Sequence, residues 1–247
     1  MLHLGPLRPA RPRHEAVPDW PAEFATRARE ARDPRLRRYY ARGMVTADTP
    51  LCATPLIAID VETTGLDPQR DGIVSIGIVP MSSERIRASA SRHWIVKPRV
   101  ELAAESVALH GITHSQVADA PDLDAVLDEV LAAVAGHVLV VHCRQIERAF
   151  LDDALLKRIG EHIVFPVIDT MELEARLHRS PPKGGWFARL SRRPRISLRL
   201  ADSRARYGLP RYRPHHAATD ALATAELLQA QLAHHFAPDI PVGRLWL

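Results

Sequence analysis

The alternation of apolar and polar positions along the chain predicts an α/β domain that begins after residue 50. Three short segments rich in branched apolar residues follow one another closely: LIAIDVE (56–62), GIVSIGIVPM (72–81) and RHWIVKP (92–98). Glycine and aspartate in the connections are typical of turns. Strands joined by such short connections favour antiparallel pairing, so the sheet is expected to start as a meander.

Helices and strands alternate in the second half of the chain. Pro121 opens a helix whose apolar residues recur at i, i+3 and i+4 spacing. It is followed by a strand (HVLVVH), a helix (ERAFLDDALLKRI), a strand (HIVFPVID), a helix (MELEARL) and a last long helix over about 217–234. Parallel strands need helical crossovers of this kind. The predicted fold is therefore α/β, with a mixed sheet flanked by helices.

Proline and arginine dominate the first 50 residues, where apolar periodicity is limited to a short helical pattern around FATRAREARD. This composition predicts an extended basic arm with a helical piece, and a disordered solvated tail is the alternative. The chain is accordingly divided into a basic N-terminal arm (1–50), a main domain (51–237) and a C-terminal tail (238–247).

Charge and cysteine content narrow the class of protein. The formal net charge is +4 and the isoelectric point is about 9.4, which favours a polyanionic partner. Cys52 and Cys143 are too few for a disulfide framework or a cysteine zinc site. The N-terminus lacks the apolar region of a signal peptide, and no apolar run approaches the length of a membrane span. We therefore expect a soluble cytoplasmic protein with no membrane partner.

Two carboxylates lie at the end of the first predicted strand. Because strand side chains alternate, Asp60 and Glu62 share one face, opposite Ile57, Ile59 and Val61. Neighbouring carboxylates repel each other unless a cation lies between them, and hard oxygen ligands suit Mg²⁺ or Mn²⁺. The alternative is a solvent-facing strand end with two ordinary surface acids.

Further acids stand where other elements begin. Cleavage of a phosphodiester with two cations needs about four carboxylates, because metals roughly 4 Å apart must be held against their own repulsion. Asp220 lies in the first turn of the last helix, preceded by His215 and His216, and Glu147 opens the helix after the fourth strand. These residues are the candidates that complete the set.

The chain resembles a known enzyme family in the order and approximate spacing of its motifs. DVETTG is followed by LHGIT with DAP, by a segment ending in AFL, by DT, and by SLRLADSRARYGLP leading to HHAATDALATAELL. Over about residues 55–235 this pattern is similar to the DnaQ-like exonucleases of the DEDDh group, which include the proofreading subunit of bacterial DNA polymerase III. The resemblance implies a ribonuclease H-like fold and 3′-to-5′ removal of nucleotides with two divalent metals.

The resemblance also implies roles for individual residues. Asp60 would contact both metals, Glu62 and Asp220 would hold one of them, and the acid of the third motif would hold the other. The family's histidine lies five residues before its last aspartate, which selects His215 as general base, a task suited to imidazole. On a regular helix His216 would instead share a face with Asp220, and it is kept as the alternative.

The third motif departs from the family pattern. The family usually has HNxxFD, whereas this chain has HCRQIE, with Glu147 at the aspartate position and Cys143 at the asparagine position. Glutamate keeps the charge and both oxygens. Asp152 is about 140° further around the helix, so Glu147 is the better ligand candidate.

The turn after the first strand is the candidate contact to the terminal nucleotide. Thr63, Thr64, Gly65 and Leu66 follow the carboxylates directly, and the resemblance implies that they contact this nucleotide. His110 is a further candidate, expected to shape a loop near the site rather than to perform chemistry. A plain turn is the alternative. A second basic cluster that would neutralise backbone phosphates comprises Arg189, Arg192, Arg193, Arg195 and Arg199. A solvated loop is the alternative for this cluster.

These observations predict a 3′-to-5′ exonuclease that uses two Mg²⁺ or Mn²⁺ ions and releases 5′-mononucleotides. Single-stranded DNA is favoured over RNA, in proofreading, repair or turnover, with a polymerase or repair protein as the expected partner. Two alternatives remain open, an exoribonuclease and a nucleic-acid-binding protein with a weakened site.

Overall fold

The computed structural model describes residues 17–102, 106–107, 111–178 and 196–247. The predicted substrate residue His110 lies outside these ranges. So do the first four arginines of the second basic cluster, Arg189, Arg192, Arg193 and Arg195.

A five-stranded mixed sheet forms the centre of the domain. Its strands are β1 (Leu56–Thr63), β2 (Ile73–Met81), β3 (Arg92–Ile95), β4 (Val138–Val141) and β5 (Val167–Asp169), in the spatial order β3-β2-β1-β4-β5. β1 pairs antiparallel with β2, and β2 with β3, whereas β4 lies parallel to both β1 and β5. The predicted mixed sheet that begins as a meander is confirmed.

The helices flank this sheet. They are α1 (Trp20–Glu30), α2 (Pro34–Ala41), α3 (His114–Ala118), α4 (Leu123–Val134), α5 (Arg144–Ile159), α6 (Thr170–His178), α7 (Leu200–Arg206) and α8 (Ala217–His235). The strand predicted over 162–169 is shorter than expected, since its first residues bond elsewhere. The amide of Ile163 donates to Asp152, that of Val164 donates to the Tyr40 hydroxyl, and Pro166 has no amide hydrogen.

The two faces of β1 are covered by different helices. Ile59 lies in an apolar layer with residues of α2, α4 and α5, including Tyr39, Leu127 and Leu155. α8 packs across β1 and β2 on the other face. It comes so close at Gly77 that a Cβ there would clash with the backbone of Ala217 and Ala218. Glycine at position 77 therefore determines how near the start of α8 lies to the carboxylates of β1.

Residues 17–50 are more packed than the extended basic arm with a helical piece that their composition predicts. α1 confirms the short predicted helix, but Trp20, Phe24, Tyr39 and Tyr40 are buried, and the rings of Phe24 and Tyr40 lie 5.1 Å apart. Packing on the domain buries the apolar surface of these aromatic rings, which an extended arm would leave exposed to solvent.

The arginines of α2 are held by the domain. Arg35 pairs with Asp124 at 2.9 Å and Arg38 with Asp128 at 2.6 Å, and both acids belong to α4. These arginines are therefore partly used in ion pairs with the protein itself.

The predicted C-terminal tail also packs against the domain. Val242, Leu245 and Trp246 are buried, and the backbone of Leu247 exchanges two hydrogen bonds with Val167 of β5. Among the helices in the described ranges, none is long and apolar enough to cross a bilayer.

Candidate active site

The carboxylates of β1 point toward the start of α8. Asp60 lies opposite Gly77 in the register of β1 and β2, where α8 approaches the sheet most closely. Asp60 is half-buried, and Glu62, two positions on, is 8% exposed. The predicted shared face is thus present, and a helix covers most of it.

Glu62, His215 and Asp220 form a compact group. One ligand atom from each of these side chains lies within 4.8 Å of the others. The amide of His215 donates to Oδ2 of Asp220 at 2.7 Å, which ties the preceding turn to the first turn of α8. His215 has a φ of 68°, a left-handed conformation that is uncommon outside glycine and asparagine. This turn carries the imidazole of His215 to the carboxylates.

His216 takes a different position. It is the N-cap of α8, where its Nδ1 accepts from the amide of Thr219 at 3.4 Å, and its ring lies 4.6 Å from the ring of His93 on β3. His215, rather than His216, therefore belongs to the compact group with Glu62 and Asp220.

Glu147 reaches the same site from α5. It lies in the first turn of that helix and is 2% exposed. Its Oε2 has no hydrogen-bond partner within the described part of the chain. Asp152 bonds to His162 and Asp153 pairs with Lys157, so neither of these acids joins Glu147.

Burial raises the pKa values of all four acids, and the charges of neighbouring site acids raise those of Asp60 and Glu62 further. Burial, and then the charges of Glu62, Glu147 and Asp220, raise the pKa of Asp60 well above its ordinary value. Burial and the charge of Asp220 raise the pKa of Glu62 to about 8. Burial also raises the pKa values of Glu147 and Asp220. Acids held together in this way can ionise together only if a cation offsets their charges, and the unpartnered Glu147 oxygen is available as a ligand.

The turn after β1 is held by its own side chains. The hydroxyl of Thr63 donates to the carbonyl of Gly65 at 2.6 Å, and that of Thr64 donates to Asp71 and accepts from the amide of Gly72. Leu66 is 55% exposed at the tip. Leu66 is thus free to meet a ligand, and the contacts predicted for this turn stay a prediction.

Asp169 is a site residue to which sequence reasoning assigned no role. This buried acid accepts from the amides of Cys143 and Arg144 at the start of α5 and from that of Met171 at the start of α6. It fixes the first turn of α5, which carries Glu147. The sequence feature that could have identified it is an aspartate at the end of a strand and directly before a helix, which is a typical N-cap position.

The comparison with protein families agrees with this geometry. Residues 57–228 match the model of the exonuclease family RNase_T. The chain therefore belongs to this family, and the predicted DnaQ-like exonuclease class is confirmed.

Curated relatives cover the same part of the chain. A "DNA polymerase III PolC-type" of Thermotoga petrophila is 30% identical over 171 residues, 69% of this chain and 11% of the relative. A "DNA polymerase III subunit epsilon-like protein" of Rhodobacter capsulatus is 37% identical over 130 residues, 52% of this chain and 18% of the relative. The chain thus spans less than a fifth of the length of each of these two relatives.

A solved structure shows the same fold. The nuclease domain of 3′hExo, a DEDDh family member bound to rAMP, superposes with a TM-score of 0.60 and 18% identity. The match covers 73% of this chain and 92% of that domain. The predicted ribonuclease H-like fold is confirmed.

Proposed function

We propose that this protein is a divalent-metal-dependent 3′-to-5′ exonuclease that shortens single-stranded DNA and releases 5′-mononucleotides. The observation that carries the proposal is the compact group of Glu62, His215 and Asp220 beside Asp60, whose pKa is raised by burial and by the charges of Glu62, Glu147 and Asp220. Four carboxylates and one imidazole are the groups that two-metal phosphodiester hydrolysis needs.

The donor set suits Mg²⁺ or Mn²⁺, since every acid offers hard oxygen ligands. Asp60 lies among the other three acids and would contact both ions. Glu62 and Asp220 would hold one ion, and Glu147 would hold the other. When bound, the ions would polarise the scissile phosphate and lower the pKa of the attacking water.

His215 is the proposed general base. A histidine takes up a proton near neutral pH, and the turn before α8 holds this one against Glu62 and Asp220. The bond from the His215 amide to Asp220 fixes the turn, so the ring is oriented before substrate arrives. Leu66 and the turn that carries it would contact the terminal nucleotide.

DNA is the preferred substrate because the two curated relatives are a DNA polymerase III and a protein similar to its epsilon subunit. The same relatives support a polymerase or repair protein as partner. RNA is the second candidate, since the 3′hExo domain was solved with rAMP.

The proposal is tested with one oligonucleotide labelled in turn at its 5′ and 3′ ends, as DNA and as RNA, with Mn²⁺ or with chelator. A 3′-to-5′ enzyme gives a ladder from the 5′ label and immediate mononucleotide from the 3′ label. Asp60→Asn controls for contaminating nuclease. Immediate mononucleotide from the 5′ label without a preceding ladder, or strands that are bound and never shortened, would overturn the proposal.

A further inference from the structure

The segment between α7 and α8 carries two exposed arginines beside the candidate base. Arg211 and Arg213 are both exposed. Within the described part of the chain, neither guanidinium has a hydrogen-bond or ion-pair partner. Arg213 precedes His215 by only two positions. Two unpaired cations therefore lie on the segment that leads into the acidic site.

A buried arginine fixes this segment in place. Arg204 of α7 is 3% exposed, and its Nη2 donates to the carbonyl of Pro210 at 2.9 Å and to Glu226 at 2.6 Å. The hydroxyl of Tyr212 donates to Glu226 at 2.9 Å, and the Arg204 guanidinium carbon lies 4.7 Å from the Tyr212 ring centroid. The backbone is thus anchored on both sides of Arg211. Little further conformational entropy of this segment is therefore lost when a ligand binds.

The spacing places both cations within reach of a bound strand. Consecutive Cα atoms are about 3.8 Å apart, so Arg213 lies within about 8 Å of His215 and Arg211 within about 15 Å. A phosphodiester that approaches four carboxylates is repelled, and nearby positive charge offsets that repulsion.

We propose that Arg211 and Arg213 bind the backbone phosphates of the substrate strand next to the bond that is cut. The inference rests on the proposed function in taking that strand to be the substrate. Backbone contacts of this kind position the strand without selecting its sequence.

The β2–β3 hairpin offers a matched control. Arg85 and Arg87 are also two residues apart and exposed, and within the described residues their side chains have no partner. They follow the end of β2 at Met81, which pairs with Leu56 at the opposite end of β1 from the carboxylates. Both pairs carry the same charge, but only one lies beside the site.

The test is the affinity for a 5′-fluorescein-labelled dT16 probe, measured by anisotropy over a range of KCl concentrations with Mg²⁺ present. Asp60→Asn is included in every variant to prevent cleavage. For Arg211→Gln with Arg213→Gln, binding is expected to weaken about 10- to 30-fold at 0.1 M salt. The slope of log K against log salt should fall in magnitude by about 1.4, as loss of two single-strand phosphate contacts requires.

The variant Arg211→Lys with Arg213→Lys is expected to preserve most of the slope, because lysine keeps the charge. The variant Arg85→Gln with Arg87→Gln is expected to bind like the parent. Equal losses for both glutamine pairs, or an unchanged slope for the 211/213 pair, would overturn the inference. Equal melting temperatures of the variants verify that all of them are folded.

Cleavage is measured separately with the Asp60 protein, so the two proposals are separable. If that protein shortens the strand but both glutamine pairs bind alike, the inference fails and the proposed function stands. If the strand is never shortened but the 211/213 pair alone weakens binding, the phosphate site stands and the proposed function fails.

Discussion

Glu62→Gln is expected to stabilise the metal-free protein at neutral pH. Glutamine has nearly the same shape as glutamate but no charge. Burial and the charge of Asp220 raise the pKa of Glu62 from 4.5 to about 8 in the folded state. The folded protein therefore holds a proton that the unfolded chain has released. For an acid whose pKa is raised on folding, stability falls as pH rises between the unfolded and folded pKa values.

The size of the effect follows from the pH interval. Between the unfolded pKa of 4.5 and pH 7, an interval of roughly 2.5 pH units, glutamate is ionised in the unfolded chain and protonated in the folded protein. Over this interval the wild type loses about 3 kcal/mol of stability. In chelator, Glu62→Gln should thus exceed the wild type in free energy of unfolding by up to about 3 kcal/mol at pH 7. The difference should disappear near pH 4, where both states are protonated.

The assay is urea unfolding at pH 4 to 8, with chelator and again with Mn²⁺. Glu84→Gln serves as the control, because Glu84 is an exposed acid on the β2–β3 hairpin. Mn²⁺ should stabilise the wild type more than Glu62→Gln, since the variant has lost a ligand. A metal-free Glu62→Gln protein that is less stable than the wild type at pH 7, or a difference that does not change with pH, would refute the reasoning.

Substitutions at four further positions test other parts of the structure. Glu147→Asp is expected to keep metal-dependent cleavage and Glu147→Gln to lose at least about 100-fold in rate, because only the former keeps the charge; equal rates would contradict this. Cys143→Gly is expected to raise the free energy of unfolding by up to about 1 kcal/mol in urea, because φ is 107° at this position. Gly77→Ala is expected to cost about 1–3 kcal/mol and to lower activity by displacing α8 from Asp60; an unchanged urea midpoint would disprove the close contact. Phe24→Ala is expected to cost about 3–5 kcal/mol, whereas a ring on a loosely attached arm would cost almost nothing in the same assay.

Sequence patterns predicted the parts of the site that depend on local geometry. Strand alternation places Asp60 and Glu62 on one face, and helical spacing separates Asp152 from Glu147. The left-handed turn at His215 agrees with the expectation that this residue precedes regular helix. That these distant motifs belong to one site was indicated by the resemblance to DnaQ-like exonucleases, and not by local patterns.

Local sequence patterns did not predict contacts between segments that are distant in the chain. The contact of His93 with His216 joins an edge strand to a helix N-terminus, and no periodicity indicates it. The N-terminal aromatic residues were hidden by an arginine-rich composition, although Asp33 before Pro34 is a helix-start signal. Their burial depends on the surface that α4 and α5 present, which a local pattern cannot reveal.

The measurement that tests the central claim most directly is the rate of mononucleotide release from single-stranded DNA by the wild type and by Asp60→Asn, with Mn²⁺ and with chelator. Asp60 interacts with all three other acids, so its loss should lower the rate at least about 100-fold, and chelator should abolish the wild-type rate. A variant within a few-fold of the wild type, or cleavage that persists in chelator, would contradict the assignment of these carboxylates as the catalytic metal centre.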